Sequence, residues 1–295
     1  MTDSDHAAAL RAFDADLFLL AHGLRTVARK EDVSPLRAAE LATWAGRHGL
    51  GWRAVPTGGP AAAQRGLGGA SETQSVFLGR DAADLDAAIG WMRIEQSPGH
   101  AERQRARAEA GRLLGYPRCC AEAFAAQPVC DDGACLERWL GTATASRLDP
   151  WCNFLLPGSP VRHYPCRADC AATHRAASTA LGRIEHAVPA AGAALRALLD
   201  RPVLVVDRFR LVVLVGAERA DGTMDVSERY TLLDLCAEEA VQASPELRRF
   251  AELASRLPST LPPAGMSGAR LLRFAPLGAE PAAPQTPDAT GWAAP

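Results

Sequence analysis

The chain contains no apolar run of 18 residues, so no membrane-spanning helix is predicted. It has no G-x-x-x-x-G-K-[ST] segment, and no G-x-G-x-x-G follows a strand pattern. The G-x-S-x-G elbow and the H-E-x-x-H pair are missing as well. Nucleotide hydrolysis, nicotinamide redox, serine hydrolysis and zinc proteolysis therefore lose the residues that usually carry them. The radical-enzyme run C-x-x-x-C-x-x-C is also absent, because Cys166 and Cys170 are followed by His174 without a third Cys. Lysine is almost missing: Lys30 stands alone beside 31 Arg, and Ala reaches 59. That bias reads as GC-rich coding, so a single Arg or Ala carries little weight. With a net charge of −2 the chain lacks the basic footprint of a phosphate-contacting domain, and nucleic acid is not the default partner.

What remains is a chain of 295 residues with 48% apolar and 22% charged residues. That is enough to bury a core without disulfides and excludes full disorder or a small disulfide-stapled scaffold. The start, Met1-Thr-Asp-Ser-Asp, is acidic, and the apolar run Leu17–Ala21 is too short for a signal segment. A cytoplasmic location is predicted, where thiols stay reduced.

Apolar positions Leu10, Phe13, Leu17, Leu20, Leu24 and Val27 recur at helical spacing over 7–30. Ser34-Pro35 predicts a second helix start running to Arg47, with Gly49 and Gly51 beyond it. Residues 1–55 thus read as an N-terminal helical region. The Gly/Pro/Ala-rich stretch near 58–70 reads as a loop. Residues 71–275 read as one α+β domain that carries the cysteines. Within it, Val76–Leu78 is a strand, and helices run from Asp81 to about Glu95, from His100 to Leu114, over 170–187 and over 190–199. Val203–Val206, Arg210–Val215 and Ser227–Leu232 suggest an antiparallel meander. A helix over 245–256 and a strand over Ala269–Phe274 follow, and 276–295 reads as a disordered tail. The fold class predicted is α+β, mostly helical, with a small antiparallel C-terminal sheet.

Seven of the eight Cys lie between Cys119 and Cys170. In a reducing compartment such clustering points to metal or redox chemistry before structural disulfides. Two segments stand out: Gly115-Tyr116-Pro117-Arg118-Cys119-Cys120 and His163-Tyr164-Pro165-Cys166-Arg167-Ala168-Asp169-Cys170. They use two of only three Tyr in the chain, each in a Tyr-Pro step leading into Cys. Pro at a first helical position would put the following Cys in a first turn, where free N–H groups favour a thiolate. Cys166 and Cys170, four apart, would then share a helix face. Cys119, Cys120, Cys166 and Cys170 are therefore the predicted ligand set. An iron–sulfur cluster is placed ahead of Zn²⁺, because vicinal Cys suit a polynuclear site. No metal at all, with the thiols redox-active or simply packed, is the other possibility.

Cys130 and Cys135 bracket a turn, Cys152 precedes Asn153, and Cys236 reads as core. Asn153, the only Asn, could orient a ligand through its amide or satisfy a turn. His163 is a candidate ligand or proton shuttle, and His174 falls four residues after Cys170. Arg103, Arg105, Arg107 and Arg112 interleave with Glu102 and Glu109 as a solvated face. Arg118, inside the motif, is the one Arg kept as a site candidate.

The segments Leu113–Phe124 and His163–Cys170 resemble a sparsely characterised prokaryotic family that carries L-G-Y-P-x-C-C and, some tens of residues later, H-x-P-C-x-x-x-C. The resemblance covers about residues 75–235 and implies that Cys119, Cys120, Cys166 and Cys170 act as a set. The vicinal pair with a later pair is also similar to the cysteine-rich domains of heterodisulfide-reductase-type proteins, which hold an iron–sulfur cluster. This chain lacks their Gly after Cys-Cys and has CxxxC in place of CxxC. Three functions follow as expectations: a Cys-ligated metalloprotein doing redox or sulfur chemistry on a small molecule, a metal-free thiol oxidoreductase, or a binding and assembly module with structural Cys. The sequence specifies neither the substrate nor a protein partner.

Overall fold

A computed structural model describes residues 13–56, 74–94, 99–127, 132–142, 148–156, 158–205 and 270–277, with short strands at 210–214, 217–218, 224–225 and 230–234. The loop near 58–70, the helix over 245–256, the tail beyond 277, Cys130 and Cys236 lie outside the described residues.

Eight helices are present among the described residues: α1 (Ala15–Ala21), α2 (Pro35–Arg47), α3 (Ala82–Ile94), α4 (His100–Leu113), α5 (Arg118–Ala125), α6 (Asp132–Gly141), α7 (Ala171–Ala187) and α8 (Pro189–Leu198). Strands β1 (Val27–Val33), β2 (Gly51–Pro56) and β3 (Gln74–Gly79) form an antiparallel sheet with β3 in the middle. The fold is α+β and mostly helical, with a small antiparallel sheet. No described helix is long and apolar enough to cross a membrane.

This three-stranded sheet is N-terminal rather than C-terminal, and it corrects the helical reading of residues 1–55, which contain β1 and all of β2 but Pro56. The helical spacing over 7–30 fails at Gly23, whose φ of +69° is a left-handed conformation that ends α1. Beyond it, Val27–Val33 gains cross-strand hydrogen bonds with β3, which decide its conformation over the spacing pattern. In the C-terminal half, β4 (Val203–Val205), β5 (Arg210–Leu214), β8 (Tyr230–Asp234) and β9 (Arg270–Leu272) pair antiparallel in the order β8-β5-β4-β9. Ala217–Glu218 and Met224–Asp225 (β6 and β7) form a separate short pair.

The caps follow local chemistry. Ser34 accepts a hydrogen bond from the Arg37 N–H, with Pro35 in the first turn of α2. Asp14 caps α1 through the Leu17 N–H, and Asp81 accepts from the Ala83 N–H at the start of α3. Side chains alternate across β3. Val76 and Leu78 pack with α1 and α2, while Phe77 packs with Leu85, Ala88 and Ile89 of α3. The central strand β3 is thus covered on both faces, while β2 lies exposed at the edge. A second core gathers α6, α7 and α8 around Trp139, Leu181 and Leu195, with Val203 and Leu272 against it. The cysteines form a cluster of their own beside these cores.

Candidate metal centre

The first cysteine pair is delivered by a glycine turn. Gly115 has φ +75°, and the Tyr116 N–H bonds back to the Gly111 carbonyl at 2.9 Å, closing α4 with a left-handed cap. Pro117 then caps α5, one position earlier than the first helical residue predicted. Cys119 and Cys120 still fall in the first turn, and the Cys120 N–H bonds the Pro117 carbonyl. Gly111 lets the two helices meet: a Cβ there would lie 2.8 Å from the Ala121 Cβ.

The second segment is not the helix start predicted. Residues 161–170 are irregular, and α7 begins only at Ala171 with Cys170 as its N-cap. Cys166 and Cys170 therefore do not share a helix face. A turn does that work instead: the Cys170 N–H bonds the Arg167 carbonyl, and the Ala168 N–H is held by the Thr142 hydroxyl at 3.0 Å.

The two Tyr-Pro segments brace each other crosswise. Tyr116 of the first lies 5.2 Å from the His163 ring of the second. Tyr164 of the second stacks on Phe124 of α5 at 6.3 Å and meets Phe154 edge-on at 5.0 Å. Aromatic pairs of this kind are each worth about 0.5–1.5 kcal/mol beyond their burial.

The result brings all four predicted cysteines together. Their sulfurs lie within 4.8 Å of one another. Cys170 is central, at 3.7 Å from Cys119, 3.6 Å from Cys120 and 3.5 Å from Cys166. Cys119 and Cys120 are 3.9 Å apart. Four cysteines at this spacing can hold a metal ion. Cys119 is exposed, Cys166 is half-buried, and Cys120 and Cys170 are buried.

Hydrogen bonds from Cys120 and then Cys166 hold the Cys170 thiol far below its ordinary value. Cys166 is pushed up, because its proton is shared with Cys120 and Cys170 and burial adds to this. The hydrogen bond from Cys166 favours a Cys120 thiolate, but sharing with Cys170 and burial outweigh it, and Cys120 is pushed up to about 12. A metal ion would replace these shared protons and let all four sulfurs ionise.

Sulfur–hydrogen bonding is uneven around the cluster. Cys120 receives the Cys166 N–H at 3.3 Å and lies 3.3 Å from the Thr173 hydroxyl. Thr173 is fully buried in α7 and joins the His163 Nε2 at 3.0 Å. Burial, helped by the Arg25 charge, pulls His163 down to about 3, so its ring is neutral. Behind it, Arg25 lies 5.6 Å over the Tyr116 ring and pairs with Asp16. Asp16 also meets Lys30 at 2.9 Å and Arg162 at 3.2 Å. Burial opposes its charge, but Arg162, Lys30 and Arg25 together hold it well below the usual carboxylate range.

Of the three predicted auxiliary residues, only His163 reaches the thiols, and it does so through Thr173. Asn153 is a turn peg: its amide donates to the Leu199 carbonyl at 2.9 Å and accepts from the Leu155 N–H. Arg118 points to solvent with its side chain 91% exposed and pairs with Glu122. His174 bonds Asp149 at 2.8 Å and does not join the sulfurs. Cys135 is buried beside Gln127, away from the site. Cys152, whose role sequence left open, packs fully buried against Cys120 and Cys170 and points its thiol at the Cys170 carbonyl at 3.7 Å. Burial and then the Asp149 charge push that thiol up, and it is not among the four sulfurs that lie within 4.8 Å of one another. Thr173 was not predicted. A lone Thr three residues past Cys170 carries no signal in one sequence.

No family model, curated protein or solved structure matches this chain.

Proposed function

We propose that the chain is a metalloprotein whose Cys119, Cys120, Cys166 and Cys170 hold one tetrahedral ion, Zn²⁺ before iron. The spacing of the sulfurs carries this reading. With metal–sulfur bonds of about 2.3 Å, a tetrahedral ion sets its sulfurs roughly 3.8 Å apart. Four of the six separations, at 3.5–3.9 Å, bracket that value, and the other two lie within 4.8 Å. A polynuclear iron–sulfur core, the first choice from sequence, spreads thiolates over different iron atoms and needs some pairs farther apart. The 4.8 Å ceiling on every pair favours a single ion.

Four protein sulfurs close the coordination sphere, which is the pattern of structural sites rather than of catalytic ones with an open position. The ion's work on this reading is to clip α5 to the loop before α7, segments some 50 residues apart in the chain. That supports a binding or assembly module over redox or sulfur chemistry on a small molecule. Reduced thiols in this number also support a cytoplasmic setting. The family resemblance of the two Cys segments fits the same four-residue set.

Metal analysis after anaerobic purification, with sulfide assay, tests the proposal. One zinc per chain without sulfide is expected. Sulfide in stoichiometric amount would restore the cluster reading. Protein that folds fully and takes up no metal would leave a metal-free thiol oxidoreductase, a reading favoured by one observation: exposed Cys119 lies 3.7 Å from Cys170.

A further inference from the structure

The four sulfurs differ in what protects them. Cys120 is buried, accepts from the Cys166 N–H and lies 3.3 Å from the Thr173 hydroxyl. Cys170 is buried at the centre, and Cys166 is half-buried. Cys119 alone is exposed, and its described hydrogen-bond contacts are to the sulfurs of Cys120 and Cys170 only. A metal-bound thiolate that no N–H or O–H quiets keeps most of its electron density for an incoming electrophile, provided that the electrophile can reach it. Both conditions meet at Cys119.

A partner for the second step is in place. Cys170 lies 3.7 Å from Cys119, and a disulfide requires closure to about 2.05 Å. Cys120 is nearly as close at 3.9 Å, but it is the next residue in the same helical turn. A disulfide between adjacent residues must twist the peptide that joins them, which α5 resists. Cys170 is a helix cap approached across a turn and has more freedom to close.

We infer that Cys119 is an oxidative modification site, the first thiol to react with hydroperoxides, and that Cys170 resolves it to a disulfide that releases the ion. This rests on the metal reading above. The Cys119 thiolate attacks the peroxide O–O bond, forming a sulfenic acid and expelling hydroxide. The Cys170 thiolate then attacks that sulfur and expels a second hydroxide. Two thiolates lose two electrons in total, hydrogen peroxide is reduced to two waters with two protons from solvent, and the ion leaves with half its ligands gone. The metal clip thus opens under peroxide and reforms once a dithiol reduces the disulfide.

The test uses the full-length zinc-loaded chain. Zinc content is measured first. Hydrogen peroxide is then added in limiting amount, released zinc is followed with a chromogenic chelator, and the products are mapped by mass spectrometry. The expected result is zinc release in step with a Cys119–Cys170 disulfide, with zinc binding recovered after dithiothreitol. Cys119→Ser should slow release by about an order of magnitude. Because that variant can lose zinc outright, limiting iodoacetamide on the unmodified chain gives a second measure, and Cys119 should be the first thiol labelled. First labelling at Cys166 or Cys120, or zinc release with Cys119 still reduced, would overturn the inference. A chain that binds no zinc would overturn the metal reading instead, and the labelling order would still decide whether Cys119 reacts first.

Discussion

At the scale of the residue, four cysteines cluster and their neighbours stand apart. Cys170 touches the other three sulfurs, so Cys170→Ser should abolish metal binding. Metal stoichiometry on the purified variant checks this, and full occupancy would place the ligand set elsewhere. Thr173 gives a finer test. Thr173→Val keeps the shape but removes the hydroxyl beside Cys120, and outer partners of this kind cost roughly 10–100-fold in metal affinity when lost. Competition against a chelator of known affinity reads that loss. Asn153→Ala should behave in the opposite way. It breaks two buried hydrogen bonds and costs about 1–3 kcal/mol in a denaturant titration, yet metal content stays whole. The four clustered cysteines were legible in sequence because Tyr-Pro leads into Cys twice in a chain with three Tyr. Asn153 and Arg118 misled because a rare residue or a motif position says nothing of where a side chain points.

At the scale of the element, the site depends on how closely α5 lies on α4. Gly111 permits that contact, since a Cβ there would sit 2.8 Å from Ala121. Gly111→Val should therefore cost about 1–3 kcal/mol from overpacking and, on the proposed reading, also weaken metal binding, because α5 carries two of the four clustered cysteines. A stability loss with unchanged metal affinity would show that α5 is free to shift without its cysteines. Helices with local signals were legible. Ser34-Pro35 marks the start of α2, and Pro189 the start of α8. The strands β1 and β2 were not, because their partner β3 lies tens of residues away and sheet pairing leaves little trace in a single segment. The loop before α7 was misread as helix for a related reason. Its shape is fixed by Thr142 and by the crosswise Tyr contacts, which no local spacing encodes.

At the scale of the whole molecule, the centre is joined to the N-terminal part of the fold through a buried chain of polar groups. Thr173, His163 and Tyr116 lead to Arg25 and Asp16, on segments that flank the sheet. Its pH behaviour has a definite sign. Asp16 titrates lower in the folded chain than in the unfolded one, so its contribution is complete above about pH 4 and drains away as the pH falls below that. His163 is held neutral down to about 3, so the unfolded chain takes up its proton first and stability falls with pH below about 6.5. Both effects act in one direction, and urea midpoints should decline steadily from neutral pH to pH 4 and more steeply beneath it. Asp16→Asn should remove the steep part, at a cost of about 3–5 kcal/mol near neutrality from the cations left without their carboxylate. Metal removal should act on the same scale. Chelation should open the clip between α5 and the loop before α7. The central claim is that one ion sits among four sulfurs, and X-ray absorption at the metal edge of the loaded chain reads it directly. The predicted spectrum is fitted by four sulfur neighbours at about 2.3 Å and no metal–metal distance. A metal–metal vector, or a shell containing nitrogen or oxygen ligands, would contradict it.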